Sequence, residues 1–214
     1  MPVLPAPRQR PPSWFAGVAG QAVLDSEADA LQGAFAERPG QPWLWLSPAA
    51  QGLVAPHMGL TLIADGKGFS GNLRCGRVLP LASEAVGTVI LQHVVEEGLA
   101  WHDLLEECAR VLLPDGRLWV FALNPLSPYR RHWLGNDVQV VEPVTWRRRM
   151  RTHALQPEAV SQGIGPRWRV VPAPELQTGA GVRAAYLLRA QKRVIPLTPV
   201  RQRAVRWTPG VTAT

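Results

Sequence analysis

Three polar residues and a proline stand where two apolar runs end. Gln92 and His93 follow the run over residues 86–91, and Asn124 and Pro125 follow the run over 117–123. An imidazole in such a place can act as a general base near neutral pH. Amides can orient a substrate. Asp65 closes a third apolar run, residues 60–64, and leads into GKGFSG, where Gly66, Gly68 and Gly71 satisfy the G-x-G-x-x-G spacing of a dinucleotide-binding turn. That turn works by presenting phosphate to the amino end of a following helix, and NLRCGRVLPL, with Gly76 and Pro80 and no helical stripe, does not supply one. Ser70 nearly makes a nucleophile elbow, but Gly71 comes one position early and is followed by Asn72. A turn is the plainer reading of this stretch.

The elements that must position these residues are clearest over residues 85–124. The first run is short, continuous and rich in β-branched residues, as in a strand covered on both faces. A helix is expected over about 103–113, with Leu104, Leu105, Cys108, Val111 and Leu112 on one stripe, acidic residues early and Arg110 late. Pro114, Asp115 and Gly116 stop it before the next apolar run. A right-handed crossover lays the two strands parallel. In α/β sheets of this kind ligands bind beyond the carboxyl ends of the strands, which is where Gln92, His93, Asn124 and Pro125 stand.

The rest of the chain supplies neighbours to this unit. Residues 1–12 hold five prolines and two arginines and read as a mobile arm. Residues 14–37 carry apolar positions at helical spacing, enough for one or two helices. Strands are expected at 43–46, 60–64, 167–171 and 184–189, and a short helix within 48–57. A domain over 13–195 and a Pro- and Arg-rich tail over 196–214 complete the organisation. With 214 residues and 46% hydrophobic residues the chain can bury a sizeable core.

Charge is unevenly placed. Residues 1–124 hold 8 Lys and Arg against 12 Asp and Glu, whereas residues 125–214 hold 15 against 4. The second half suits an acidic partner or simply presents a solvated basic face. Trp133, Trp146 and Trp168 sit among these arginines as base-stacking groups would, so nucleic acid is one candidate partner. Cys75 and Cys108 are far apart in sequence and read as reduced thiols, Cys108 in the core, which points to a cytoplasmic protein without metal. No stretch approaches the roughly 20 apolar residues of a membrane span.

LPLAS (79–83), LQHVVEEG (91–98), LLEECARVLLPDGRLWVFALNP (104–125) and KRVIPLTPVR (192–201) together resemble the class I S-adenosylmethionine-dependent methyltransferases, in particular the bacterial type 11 branch, over about residues 14–200. The resemblance implies an α/β, Rossmann-like fold with a mostly parallel seven-stranded sheet, helices on both faces and the last strand antiparallel. Strands one and two would be 43–46 and 60–64, strand three 77–79, strands four and five those of the central unit. Some forty residues between strands one and four are few for two helical crossovers, so one helix should be shortened or missing.

The resemblance also implies site residues. Leu46, Ser47, Asp65, Leu79, Pro80, Gln92 and His93 would contact S-adenosylmethionine, His93 would serve as catalytic base, and Asn124 and Pro125 would line the acceptor pocket. The chain departs from the family where it matters for the cofactor. Ser47 and Pro48 replace the glycine turn after strand one, and Gly87 replaces an acidic residue entering strand four. Asp65 retains the position of the carboxylate that accepts the ribose hydroxyls. These features imply a methyltransferase with a remodelled cofactor site and an unknown acceptor, or a non-catalytic descendant that keeps the sheet as a binding or scaffolding module.

Overall fold

The computed structural model describes residues 13–53, 55–65 and 68–193. The arm over 1–12, the tail over 196–214 and most of KRVIPLTPVR lie outside them.

β1 (Trp43–Ser47) is buried at all five positions. It lies between β2 (Gly59–Ala64) and β4 (Val86–Gln92), parallel to both, and β5 (Leu112–Leu123) is parallel to β4. These four strands are the continuous apolar runs of the sequence. Their parallel order β2-β1-β4-β5 reverses direction of travel at β1, since the chain leaves β1 toward β2 and later returns to β1's other side as β4. Antiparallel strands flank this core. β3 (Phe69–Gly71) pairs with β2, and β9 (Ala185–Lys192) pairs with β5. β6 (Leu155–Pro157) and β7 (Gln162–Ile164) pair with β9, and β8 (Gln177–Thr178) with β7.

Alternation along the strands sorts the core into two layers. Trp43, Trp45, Ile90, Trp119 and Phe121 pack with Phe15 and with α1 (Val18–Ala36) on one face. Leu44, Leu46, Val89, Leu91 and Val120 pack with α2 (Trp101–Val111) and α3 (Pro143–Arg151) on the other. Helices therefore cover both faces.

Several details differ from the sequence reading. The expected strand at 77–79 is absent: strand three is Phe69–Gly71, an antiparallel hairpin partner of β2 in which Gly68 N donates to Asp65 Oδ1 at 2.8 Å. Gly68 and Gly71 thus belong to a hairpin and not to a phosphate turn, and Gly71 has φ of +131°. The described residues of 48–57 form no helix. Among its described residues the parallel β1–β2 connection is irregular, where such a crossover usually carries a helix. The helix of the central unit starts and ends two residues earlier than expected, because Leu112 already pairs with Val86. The register then jumps, so that Thr88 pairs with Arg117 and the Pro-Asp-Gly turn is accommodated within β5, with Asp115 at φ of +61°. Residues 167–171 are irregular, and the sheet is closed instead by β7 and β9. The sheet has nine strands among the described residues, with parallel pairing confined to the central four.

Candidate functional site

The carboxyl ends of β1 and β4 are tied together by a buried polar network. Trp45 Nε1 donates to Gln92 Oε1 at 3.0 Å, and Gln51 Nε2 donates to the same oxygen at 2.7 Å and to Ser47 Oγ at 2.9 Å. Gln92 Nε2 in turn donates to Glu27 Oε2 at 2.7 Å. The other oxygen of Glu27 lies 2.8 Å from His93 Nε2, and His93 Nδ1 lies 3.5 Å from Glu96 Oε1. Glu96 also accepts from Leu123 N at 2.8 Å, joining the end of β5 to the same cluster.

Every side chain in this cluster is constrained. Glu27, Ser47 and Gln92 have no solvent exposure and His93 has 1%. Phe15, held in a 3-10 turn before α1, stacks on the His93 ring at 4.5 Å between centroids. His93 itself adopts a left-handed backbone, φ of +51°, a conformation that costs a β-carbon residue about 1 kcal/mol or more and persists where its surroundings hold it. Burial alone would lower the imidazole pKa. The charge and hydrogen bond of Glu27, followed by those of Glu96, outweigh burial and raise it to about 10. His93 is therefore an imidazolium at neutral pH, donating from both nitrogens. Both ring nitrogens face carboxylates inside the protein, so neither is directed at a substrate as a catalytic base would be.

Glu27, Gln51 and Glu96 were not singled out by the sequence reading. A signal for Glu27 was nonetheless present. On α1 the buried positions Val23, Leu24, Glu27, Ala30, Leu31 and Ala34 follow one stripe, with a carboxylate in its middle. A charge in an apolar stripe needs a buried partner.

The other expected site residues fall into different environments. Leu46 and Leu79 are core side chains. The Leu79 backbone is held by Glu107 and Arg110 of α2, and Pro80 is exposed. Asp65 is exposed at the turn joining β2 to β3. Asn124 is buried, its Nδ2 donating to the carbonyls of Gly181 and Arg183 at 3.0 Å each while its Oδ1 accepts from Leu126 N. Gly87 has a packing reason: a β-carbon there would lie 2.1 Å from Gln41 Oε1 and 2.7 Å from Gln41 Cβ. Among the described residues no group of three or more His, Cys, Asp or Glu could hold a metal ion, and no helix is long and apolar enough to cross a membrane.

Two open clefts flank the network. One, of about 290 Å³, lies between α1 and the loop that follows β1, lined by Gln21, Leu24, Asp25 and Ala28 on one side and Gln51, Gly52 and Leu53 on the other. The second, of about 350 Å³, lies past the end of β5, where Asn124, Pro125, Glu142, Arg147 and Ser161 are among its walls.

No family model matches this sequence, and no curated protein matches it. Solved structures do. A methyltransferase from Thermotoga maritima, described as S-adenosylmethionine-dependent and as a possible histamine N-methyltransferase, aligns over 84% of this chain and 93% of its own with a TM-score of 0.59 at 16% identity. An S-adenosylmethionine-dependent methyltransferase from Aquifex aeolicus aligns over 86% and 100% with a TM-score of 0.56 at 13% identity. The geranyl diphosphate C-methyltransferase of Streptomyces coelicolor, solved with Mg²⁺, geranyl diphosphate and S-adenosylhomocysteine, aligns over 79% and 77% with a TM-score of 0.50 at 15% identity. The fold is that of the S-adenosylmethionine-dependent methyltransferases.

Whether the residues of this methyltransferase fold suit that cofactor can be tested on their bonds. At the usual turn they do not. Ser47 Oγ donates to Ala49 O and accepts from Gln51, and both ends of Gln92 are taken up inside the protein. Asp65 Oδ1 holds its own hairpin turn. The cleft beside α1 fits better. Gln21 donates to Phe15 O and Gln51 donates inward, which leaves their carbonyl oxygens together with the exposed Asp25 carboxylate as acceptors. A β-carbon at Gly52 would meet nothing within 4 Å, so the backbone there is open to close approach. Acceptors and an anionic carboxylate suit the ammonium and sulfonium charges of S-adenosylmethionine.

Proposed function

We propose that this chain is an S-adenosylmethionine-dependent methyltransferase with a remodelled cofactor site. The observation that carries the reading is the cleft beside α1, which opens at the carboxyl end of β1, where the strand order reverses between β1 and β4. That is the place where α/β sheets bind ligands. Gln21, Asp25, Gln51 and the Gly52 backbone would hold the cationic amino-acid end. The Glu27–His93–Gln92 network forms the floor that fixes Gln51, and His93 acts through position and charge, not as a base. When bound, the cofactor supplies a methyl already activated on sulfur, so the protein's work is to place an acceptor in line with it. The groove containing Asn124, Pro125, Glu142 and Arg147 is where a polar acceptor would be held. Two free thiols agree with a cytoplasmic setting.

The buried clamp of Glu27 on Gln92 and His93 favours a second reading, a non-catalytic module that keeps the sheet and has closed the usual cradle. Calorimetric titration with S-adenosylmethionine and S-adenosylhomocysteine separates the two. Saturable binding with a Kd near micromolar, about −8 kcal/mol, is expected for the methyltransferase. No heat of binding up to millimolar ligand would overturn it in favour of the module.

A further inference from the structure

Among the described residues the arginines and tryptophans of the second half are not evenly placed. Of the three tryptophans that the sequence places among arginines, Trp133 and Trp146 are buried in the two core layers, and only Trp168 is exposed, at 58%. Trp168 lines a groove of about 340 Å³ together with Arg167, Arg169, Arg183 and the apolar Val171 and Pro172. Arg131 joins the rim by donating from Nη2 to Trp168 O at 2.7 Å.

The bonding around this groove leaves cationic groups and a ring face available. Among the described residues no aromatic ring or cation covers the Trp168 indole, and the Arg169 guanidinium has no hydrogen-bond or ion-pair partner. Arg183 donates from Nη1 to Gly165 O and faces Glu175 at 3.6 Å, while its buried Nε has no partner. Arg167 reaches only Gln177. Among the described residues Glu175 is the one carboxylate paired with these four arginines, so the rim keeps a clear positive excess. Flat aromatic surface set among guanidinium groups, over an apolar floor, matches the alternation of base and phosphate in a single strand: stacking on the indole is indifferent to base identity, and the arginines follow the backbone.

We propose that the groove around Trp168 binds single-stranded nucleic acid, with a base stacked on the Trp168 indole and phosphates on Arg131, Arg167 and Arg169. The inference rests on this surface alone and is independent of how the cofactor cleft is used.

The test uses the full chain and fluorescein-labelled dT12 and U12 followed by anisotropy from 50 to 200 mM NaCl, with Trp168→Ala and Arg169→Gln as variants and thermal melts to show that both fold. Saturable binding at 50 mM salt is expected. Trp168→Ala should weaken it about tenfold, with little change in its salt dependence. Arg169→Gln should make the slope of log K against log salt shallower by about 0.7, the contribution of one phosphate contact on a single strand. Absence of binding at 50 mM salt overturns the proposal. So does binding that neither variant changes, which would place the oligonucleotide elsewhere on the chain. Weakening by Arg169→Gln without any effect of Trp168→Ala also overturns it, because that pattern describes a surface for any polyanion.

Discussion

Glu27 Oε1 and His93 Nε2 meet at 2.8 Å across 66 residues of sequence, both side chains without solvent exposure. The pair joins the middle of α1 to the exit of β4, and through Glu96 it reaches the end of β5. A buried ion pair of this kind is costly to break from one side, because the remaining charge loses its partner but stays in a low-dielectric setting. Glu27→Ala or His93→Ala should each destabilise the protein by about 3–5 kcal/mol, read from urea unfolding. The double variant should cost less than the sum of the two, as a thermodynamic cycle would show.

The same pair sets a pH dependence. The folded pKa of His93 is raised to about 10, above the ordinary value of 6.5, so its contribution to stability is complete below about pH 6.5 and disappears as pH climbs through about 10. Melting temperatures measured from pH 6 to 10 should fall progressively in the wild-type protein. In Glu27→Gln/His93→Gln the fall should be clearly shallower. Parallel pH profiles would remove His93 from the explanation.

Asp25 and Asp65 offer a direct comparison for the cofactor. Asp25 lines the cleft beside α1, whereas Asp65 holds the β2–β3 turn through Gly68 N. Asp25→Asn should weaken S-adenosylmethionine binding about tenfold by calorimetry, the loss expected for removing one charge-assisted contact. Asp65→Ala should lower the melting temperature and leave affinity within about a factor of two. The reverse ranking would return the cofactor to the standard pose that the sequence resemblance implies.

Gly87→Asp puts back the carboxylate expected at the entry of strand four. The structure predicts no benefit. Its β-carbon would collide with Gln41 Cβ at 2.7 Å, and this is not the far end of the Gln41 side chain. A loss of about 1–3 kcal/mol in stability is expected, with no gain in cofactor affinity, and Gln41→Gly should recover part of the loss.

Asn124 is expected to be structural before it is anything else. Its amide closes the turn after β5 and ties it to the 181–183 backbone, so Asn124→Asp would turn a carboxylate toward two carbonyl oxygens. A destabilisation of about 2 kcal/mol or more should appear in denaturant unfolding, larger at pH 8 than at pH 4, where the new carboxyl is largely protonated.

Sequence alone determined the parts of this protein whose physics is local. The β-branched run of β4, the striped helix α2 and the apolar run of β5 declare themselves, because a strand buried on both faces and a helix packed on a sheet each leave a periodic record. The short stretch of chain between β1 and β4 likewise leaves little room for two helical crossovers, and the described residues between β1 and β2 form no helix. Strand three was misplaced because a three-residue hairpin partner has no periodicity to read, and the strand expected at 167–171 failed because alternation of arginine with apolar residues also describes an exposed, irregular rim. The candidate site was legible only as a location. Sequence marked Gln92 and His93 as strand-exit residues, but their chemistry depends on Glu27, a residue from another element. Whether an imidazole is a base or a locked cation is decided by what stands within hydrogen-bonding distance of its two nitrogens. That is a property of the packed structure, in which α1 crosses the sheet and lowers Glu27 onto Gln92 and His93.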